Sequence, residues 1–325
     1  MESIGEKGLD ATAMSGVAAE KSEPSGKSYR DRGTLAKQQE RLGWILVIPV
    51  LVVIAVVAIY PLFETFRLSL TNERLASIRE PRYVGLDNYR SVLQDTQFWA
   101  SMRITGIFTV ASVVLETLLG MIVALTIHSN FRGRGLVRTS MLVPWAIPTV
   151  VSSLLWQWMF NDTYGVINSV LKQLNLMSET TFYAWAANPT TALGAVIAVD
   201  VWKTTPFMAL LLLAGLQVIP SDVYEAAYVD GASKIQQFFD ITLPLLKPAL
   251  LVALIFRTLD AFRVFDLIFV LNGYALDTMS VAIYTQQQLI ASQRIGEGSA
   301  PAVIIFLTIG VLAFIYTRLI KVEEG

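Results

Sequence analysis

An all-α, polytopic membrane fold with six transmembrane helices follows from three observations on this 325-residue chain. Hydrophobic residues make up 54% and charged residues only 16%, with a mean hydropathy of +0.54, a balance too apolar for a water-soluble domain of this length. The apolar residues gather into six runs, each long enough to cross a hydrocarbon core about 30 Å thick. Polar connections bearing glycine and proline separate the runs.

Residues 1–41 are rich in Gly, Ser, Glu and Lys and have little to bury. They predict a largely disordered tail ending in a short basic amphipathic segment around Leu35–Arg41. A cleaved leader would carry a shorter apolar core nearer the start. Leu42–Phe63 has 22 residues without a charge and covers about 33 Å as a helix, so it is retained as the first span, with a kink expected at Pro49. The other five are Ile104–Ile127, Thr139–Phe160, Ala192–Leu216, Leu250–Val270 and Gly298–Thr317. Glu116 lies in the second, Asp200 and Lys203 in the fourth, and Arg257, Asp260, Arg263 and Asp266 in the fifth, so these three need protein or water on one side. Pro144 and Pro148 in the third span, and Pro206 in the fourth, predict bends or local unwinding, because proline lacks the N–H that would close a helical turn.

Lysine and arginine placement selects the orientation. With the N-terminus inside, the inner segments hold seven in residues 1–41, then Arg132, Arg134, Arg138, Lys234, Lys247, Arg318 and Lys321. The outer segments hold fewer: Arg67, Arg74, Arg79, Arg82, Arg90, Lys172 and Arg294. Both termini and the connection after the fourth span are therefore expected on the cytoplasmic side, with residues 42–321 forming one transmembrane domain. There is no cysteine, and the lone histidine, His128, closes an apolar run beside a basic loop, where an interfacial structural role is expected. No Gly-x-x-x-x-Gly-Lys-Ser/Thr run occurs. Catalysis, a metal site and a bound cofactor are not expected on this chain, and nucleic acid is not an expected partner.

Between the fourth and fifth spans, residues 221–248 read as an amphipathic helix-turn-helix at the membrane surface. Ser221-Asp222 is expected to cap a helix beginning near Val223, with Glu225 suited to the positive end of its dipole. Ala226 and Ala227 allow close approach to a partner groove, and Gly231 a sharp turn. A second helix over Ala232–Asp240 would present Ile235, Phe238 and Phe239, with Pro244 and Pro248 stopping it before the fifth span.

This stretch resembles the docking loop of permease subunits in binding-protein-dependent ABC importers. The match runs in register through Glu225, Ala226, Ala227, Asp230, Gly231, Ala232, Phe238, Ile241, Leu243, Pro244 and Pro248. Ile59-Tyr60-Pro61, Tyr83 to Tyr89, Pro144, Trp202 to Phe207 and Arg257 to Asp266 are similar to the sugar-importing branch of maltose and trehalose permease type, so the resemblance covers residues 42–320. Leu271 to Leu276 departs from the Thr-Gly-Gly-Gly-Pro-like run of many relatives, which bears on the shape of the outer mouth. The resemblance implies a type I permease fold, with Glu225, Ala226, Ala227, Asp230, Gly231, Ala232, Leu243 and Pro244 contacting a cytoplasmic ATPase. It implies a second permease subunit, an ATPase dimer that holds ATP and Mg2+, an extracytoplasmic sugar-binding protein and a sugar substrate, all within membrane lipid.

Arg257, Asp260, Arg263 and Asp266 alternate in sign every three residues and drift over one helix side. Asp200 and Lys203 read as a further pair. Either a polar lining for a solute path or a network locking helices together fits these charges. A neutral saccharide also needs aromatic platforms and hydrogen-bonding partners. Trp156, Trp158, Asn161, Trp202, Phe262, Asn272 and Gln287 are candidates beside Lys203, Asp260, Arg263 and Asp266, although tryptophans near helix ends also serve as interfacial anchors. A secondary transporter using Asp200, Asp260 or Asp266 is the alternative class, as is an ABC permease for another small polar solute.

Overall fold

The computed structural model describes residues 28–323 except 76, 78 and 79, with side chains described from residue 36 to 318. The chain divides into two compact units, residues 1–61 and 62–325. In the first, α1 (Ser28–Ile54) runs into a widened π turn, Ala55–Ile59. Helix therefore begins at Ser28, within the segment expected as tail, because Leu35 to Arg41 are good helix formers and extend an already nucleated helix at little cost. The rest of the expected tail, residues 1–27, lies outside the described residues. Pro49 is accommodated inside α1.

Next come α2 (Tyr60–Ser69), α3 (Asp87–Gln94) and α4 (Thr96–His128). The Asp95 carboxylate starts α4 by accepting the Gln97 N–H at 2.8 Å. Among the described residues, five helical stretches are long and apolar enough to cross a membrane: Ala36–Ser69, Thr96–His128, Ala192–Leu216, Lys234–Phe262 and Ile295–Arg318. The third expected span, Thr139–Phe160, is broken. Its parts are α5 (Arg134–Met141), α6 (Val143–Ala146) and α7 (Thr149–Met159), with a 90° bend before α7. Proline explains the break: Pro148 has no N–H to donate, and Ile147 before it is forced into extended backbone at φ −72°, ψ 132°. Pro206, where a bend was also expected, leaves its helix unbroken.

After α8 (Val166–Gln173), α9 (Ala192–Leu216) occupies the middle of the second unit, packed on both α4 and α12 (Leu243–Phe262). Gly120 permits the approach of α4 to α9, since a Cβ there would lie 2.7 Å from Met208 Cγ. One apolar cluster, including Phe108, Val196, Val199 and Ile268, fills one end of this bundle. A smaller one with Ala124, Met208, Leu212 and Leu246 fills the other.

The expected fifth span, Leu250–Val270, is not one helix. Between α9 and α12 lie α10 (Ser221–Val229), α11 (Lys234–Gln237) and a π turn, Phe238–Thr242, and α12 then ends at Phe262. The chain leaves helix over residues 263–265 and restarts as α13 (Asp266–Asn272). Arg263, in this gap, and Asp266, just after it, are exposed and do not continue the helix side that carries Arg257. The short α14 (Val281–Gln286), a π turn at Gln287–Ala291 and α15 (Ile295–Glu323) complete the unit.

Candidate functional site

Three spanning helices deliver one charge each to a common point. Arg257 of α12 donates through Nε and Nη2 to both carboxylate oxygens of Glu116 on α4, and through Nη2 to Asp200 Oδ2 on α9. Its remaining nitrogen, Nη1, donates to Asp260 Oδ2 at 3.1 Å. Glu116 is 0% exposed and Arg257 3%, so the pair is wholly withdrawn from solvent. The Thr204 hydroxyl lies 2.6 Å from Glu116 Oε1 and 2.6 Å from the Asp200 carbonyl. Burying these charges is tolerable only because the guanidinium fork satisfies both carboxylates.

Asp260 turns the cluster outward. Its second oxygen accepts from Arg263 Nη2 at 3.3 Å, and the two side chains are 57% and 70% exposed. The four-charge run of the sequence thus splits: Arg257 is locked inside, Asp260 and Arg263 face outward, and Asp266 stands exposed in the first turn of α13. Lys203 does not pair with Asp200 in a salt bridge, contrary to the expectation from spacing. Its Nζ donates to the Ile147 carbonyl at 2.6 Å and the Trp145 carbonyl at 3.4 Å. The reason lies in the broken span, whose Pro148 leaves carbonyls without helical partners, while Arg257 already serves Asp200.

A cavity of about 580 Å³ opens here, lined by Trp145 to Thr149, Asp200, Lys203, Arg257, Asp260, Arg263 and Asp266. Cationic, anionic and carbonyl groups surround it, a mixture suited to hydroxyl-bearing solutes. Some aromatic candidates lie elsewhere. Trp156 packs edge-on against Trp202 at 5.5 Å and at a tilt against Phe160 at 5.3 Å. Trp158 is exposed beside Tyr164, while Phe262 is buried and lines no described cavity, so its ring is not available as a platform. Asn161 and Asn272 meet at a second cavity of about 640 Å³, together with Gln157 and Asp277. There Asn161 Oδ1 accepts the Thr163 and Tyr164 N–H groups, whereas Asn272 donates to Ala186 O and keeps a buried Oδ1 without a partner. Gln287 lies apart from both cavities and accepts from Gln97 Nε2 at 3.4 Å.

The loop between α9 and α12 is a defined elbow. Ser221 lies inside α10 rather than capping it; Pro220 holds the N-cap, and no side-chain cap is formed. Glu225, Ala226 and Asp230 are exposed and Ala227 is half-buried. Gly231, at φ +79°, ends the helix: its N–H donates to Tyr228 O and that of Ala232 donates to Ala227 O, at 3.1 and 2.9 Å. Ser233 and Gln236 then form a reciprocal capping box, a Ser-x-x-Gln signal present in the sequence but not used in reading it. The Tyr224 hydroxyl reaches Thr242 Oγ1 at 3.0 Å and pins the two arms together.

Pro244 and Pro248 do not stop the second arm. Pro244 follows the π turn at the start of α12, and Pro248 is accommodated one turn further in. Helical residues consequently continue from Lys234 to Phe262, 29 in all, or about 43 Å at 1.5 Å each. The surface elbow and Arg257 share one rod.

The sequence profile of the family described as "Binding-protein-dependent transport system inner membrane component" matches residues 116–322. Among curated relatives, the trehalose/maltose transport system permease protein MalF of Thermococcus litoralis is 42% identical over 288 residues, covering 87% of this chain and 95% of that protein. The trehalose transport system permease protein SugA of Mycobacterium tuberculosis is 40% identical over 281 residues, 86% of this chain and 89% of that one. Among solved structures, a bacterial ABC transporter involved in import of the acidic polysaccharide alginate superposes with a TM-score of 0.77 at 20% identity, covering 89% of this chain and 98% of that chain. That similarity concerns the fold.

Proposed function

The chain belongs to the family of binding-protein-dependent transport system inner membrane components, and we propose on that premise that it is one permease subunit of a sugar importer, carrying a disaccharide of the trehalose or maltose kind. It is a multi-pass inner-membrane component of an ABC importer rather than the ATPase subunit. In this reading a second, related permease supplies the other wall of the path. An extracytoplasmic protein delivers the sugar, two ATPases dock at Glu225 to Pro244 on the cytoplasmic side, and both termini lie on that side. The names of the relatives similar to this chain support the choice of sugar.

The observation that carries the mechanism is the unbroken helix from the elbow to the charge cluster. Movement of docked ATPases, which hold the ATP and Mg2+, displaces α10 and α11. The Schellman turn at Gly231 and the Tyr224–Thr242 hydrogen bond keep the elbow from absorbing that displacement. Helix α12 transmits it to Arg257, which holds α4 and α9, and to the cavity wall formed by Asp260 and Arg263. Exposed charges at this depth require a water-filled path or a partner subunit, because a charge facing lipid costs about 2.5–3.5 kcal/mol even on the more lenient scale. The test is reconstitution of the chain with its permease partner, ATPase and binding protein in vesicles, with labelled trehalose, maltose, an amino acid and phosphate offered in turn. ATP-dependent accumulation of a disaccharide supports the reading. Uptake of only the amino acid or phosphate overturns the sugar assignment, and accumulation by the chain without an ATPase overturns the coupling.

A further inference from the structure

A further recess shares no residue with the two cavities described above. It lies where α4 and α9 end, with a volume of about 390 Å³, lined by Ile127, His128 and Asn130 at the end of α4, Arg134 and Arg138 on α5, and Leu213 and Gln217 at the end of α9. Five of these seven side chains are polar or basic, and none is a carboxylate. The deficit extends along the chain, for between Glu116 and Asp162 there is no acidic residue at all. Arg134 and Arg138 are one helical turn apart, so they share a face of α5, where like charges repel. Arg134 Nη1 meets only Asn130 Oδ1 at 3.3 Å, and neither Arg134 nor Arg138 forms an ion pair among the described residues.

The setting identifies the anion. Helices α4 and α9 both belong to membrane-crossing stretches and both end here, which puts the recess at the level of the headgroups. On α5 itself Leu136 is 74% exposed and Val137 is exposed too, as is Phe131 just before it. An eight-residue helix with uncovered apolar side chains beside two unpaired arginines suits the boundary between acyl chains and headgroups. A peptide carboxylate from another subunit would supply the charge but would leave those apolar side chains in water, whereas a lipid covers both.

We propose that this recess binds the phosphate of an anionic phospholipid, with Arg134 and Arg138 as its charged ligands and His128, Asn130 and Gln217 as hydrogen-bonding partners. The lipid holds α5 against the ends of α4 and α9, and so holds the beginning of the broken span. The inference requires only that the chain is a membrane protein and stands apart from the choice of sugar.

Native mass spectrometry of the detergent-purified transporter, titrated with phosphatidylglycerol or phosphatidylcholine, tests it. The unaltered protein is expected to retain phosphatidylglycerol in preference to phosphatidylcholine, and to release it as salt rises. At about a factor of five for each basic residue near a membrane surface, Arg134→Gln with Arg138→Gln should weaken phosphatidylglycerol retention about 30-fold and leave phosphatidylcholine unchanged. Arg134→Lys with Arg138→Lys, which keeps both charges, should retain most of the binding and covers the case in which the glutamine variant does not assemble. Equal phosphatidylglycerol retention by the glutamine variant and the unaltered protein overturns the proposal. So does loss of the ATPase subunit from the glutamine variant with lipid retention intact, which would make the two arginines a protein contact.

Discussion

Substituting Arg257 by methionine separates the buried half of the charge cluster from its exposed half. The guanidinium serves Glu116, 0% exposed, and Asp200, whose side chain is 9% exposed, by three hydrogen bonds; methionine fills much of its volume but offers no donor. Removing one partner of a buried ion pair costs about 3–5 kcal/mol, because the charge left behind is neither hydrated nor paired. Against a total stability of about 5–15 kcal/mol this is a large fraction. It corresponds to roughly a hundred- to several-thousand-fold shift in the folded-to-unfolded ratio. Asp260→Asn removes a carboxylate bonded to the same arginine, yet its 57% exposure predicts a loss of no more than about 1 kcal/mol. Replacing all three buried groups together, Glu116→Gln, Asp200→Asn and Arg257→Met, removes the stranded charges and should recover most of the loss. The assay is the temperature at which the detergent-purified complex loses its monodisperse chromatographic peak, read beside assembly yield. A single Arg257→Met variant as stable as the unaltered complex would refute the reasoning. A triple variant no better than the single one would do the same, since the cost would then not come from stranded carboxylates.

At the elbow, Gly231→Ala places a Cβ on a residue at φ +79°, costing roughly 1–2 kcal/mol, and should leave membrane insertion intact while lowering sugar uptake per ATP hydrolysed. Glu225→Ala should uncouple in the same direction, and normal stoichiometry in both variants would remove the docking assignment. Lys203→Met leaves the Trp145 and Ile147 carbonyls without their donor, about 1–3 kcal/mol, and should loosen the bend before Pro148. The chain has no cysteine, so maleimide labelling of Ile147→Cys reads that site alone and should be faster in the Lys203→Met background. On α14, burial and then the hydrogen bond to Asp95 raise the Tyr284 phenol above its ordinary value of about 10. Because the folded value is the higher one, its contribution is complete below about pH 10 and is lost as pH rises through the folded value. Tyr284→Phe should therefore lower thermal stability by a constant amount, about 1.5–3 kcal/mol, between about pH 6 and 9. A loss that varies across that range would point to a different titrating group.

The spans illustrate which features need no tertiary information. Ala192–Leu216 is bounded by the sequence as it is in the fold, and Ile104–Ile127 and Gly298–Thr317 fall inside longer helices. A bilayer imposes a length and a composition on each crossing, and both are properties of consecutive residues. The break in the third span was equally local, for Pro148 removes a donor and restricts Ile147 whatever surrounds them. Gly231 is a similar case: a residue with no Cβ ends α10 in a left-handed conformation, and the turn follows.

Partner choice among the charges was not local. Sequence spacing favoured Asp200 with Lys203 and aligned Arg257 with Asp266, but helix α12 stops at Phe262, which separates the last two charges from the first two. Arg257 then finds Glu116, 141 residues away, because α4, α9 and α12 converge at one depth. Lys203 is left to the carbonyls freed by proline. The prolines after the elbow likewise stopped nothing: Pro244 follows the π turn and Pro248 is accommodated inside α12. Sequence alone therefore located four of the spans, the break at Pro148 and the turn at Gly231, whereas the end of the fifth span at Phe262 and the continuous helix through Pro206 were not legible in it. Which buried charge meets which depended on helices brought together across the whole chain, where the low dielectric makes every misplaced charge costly.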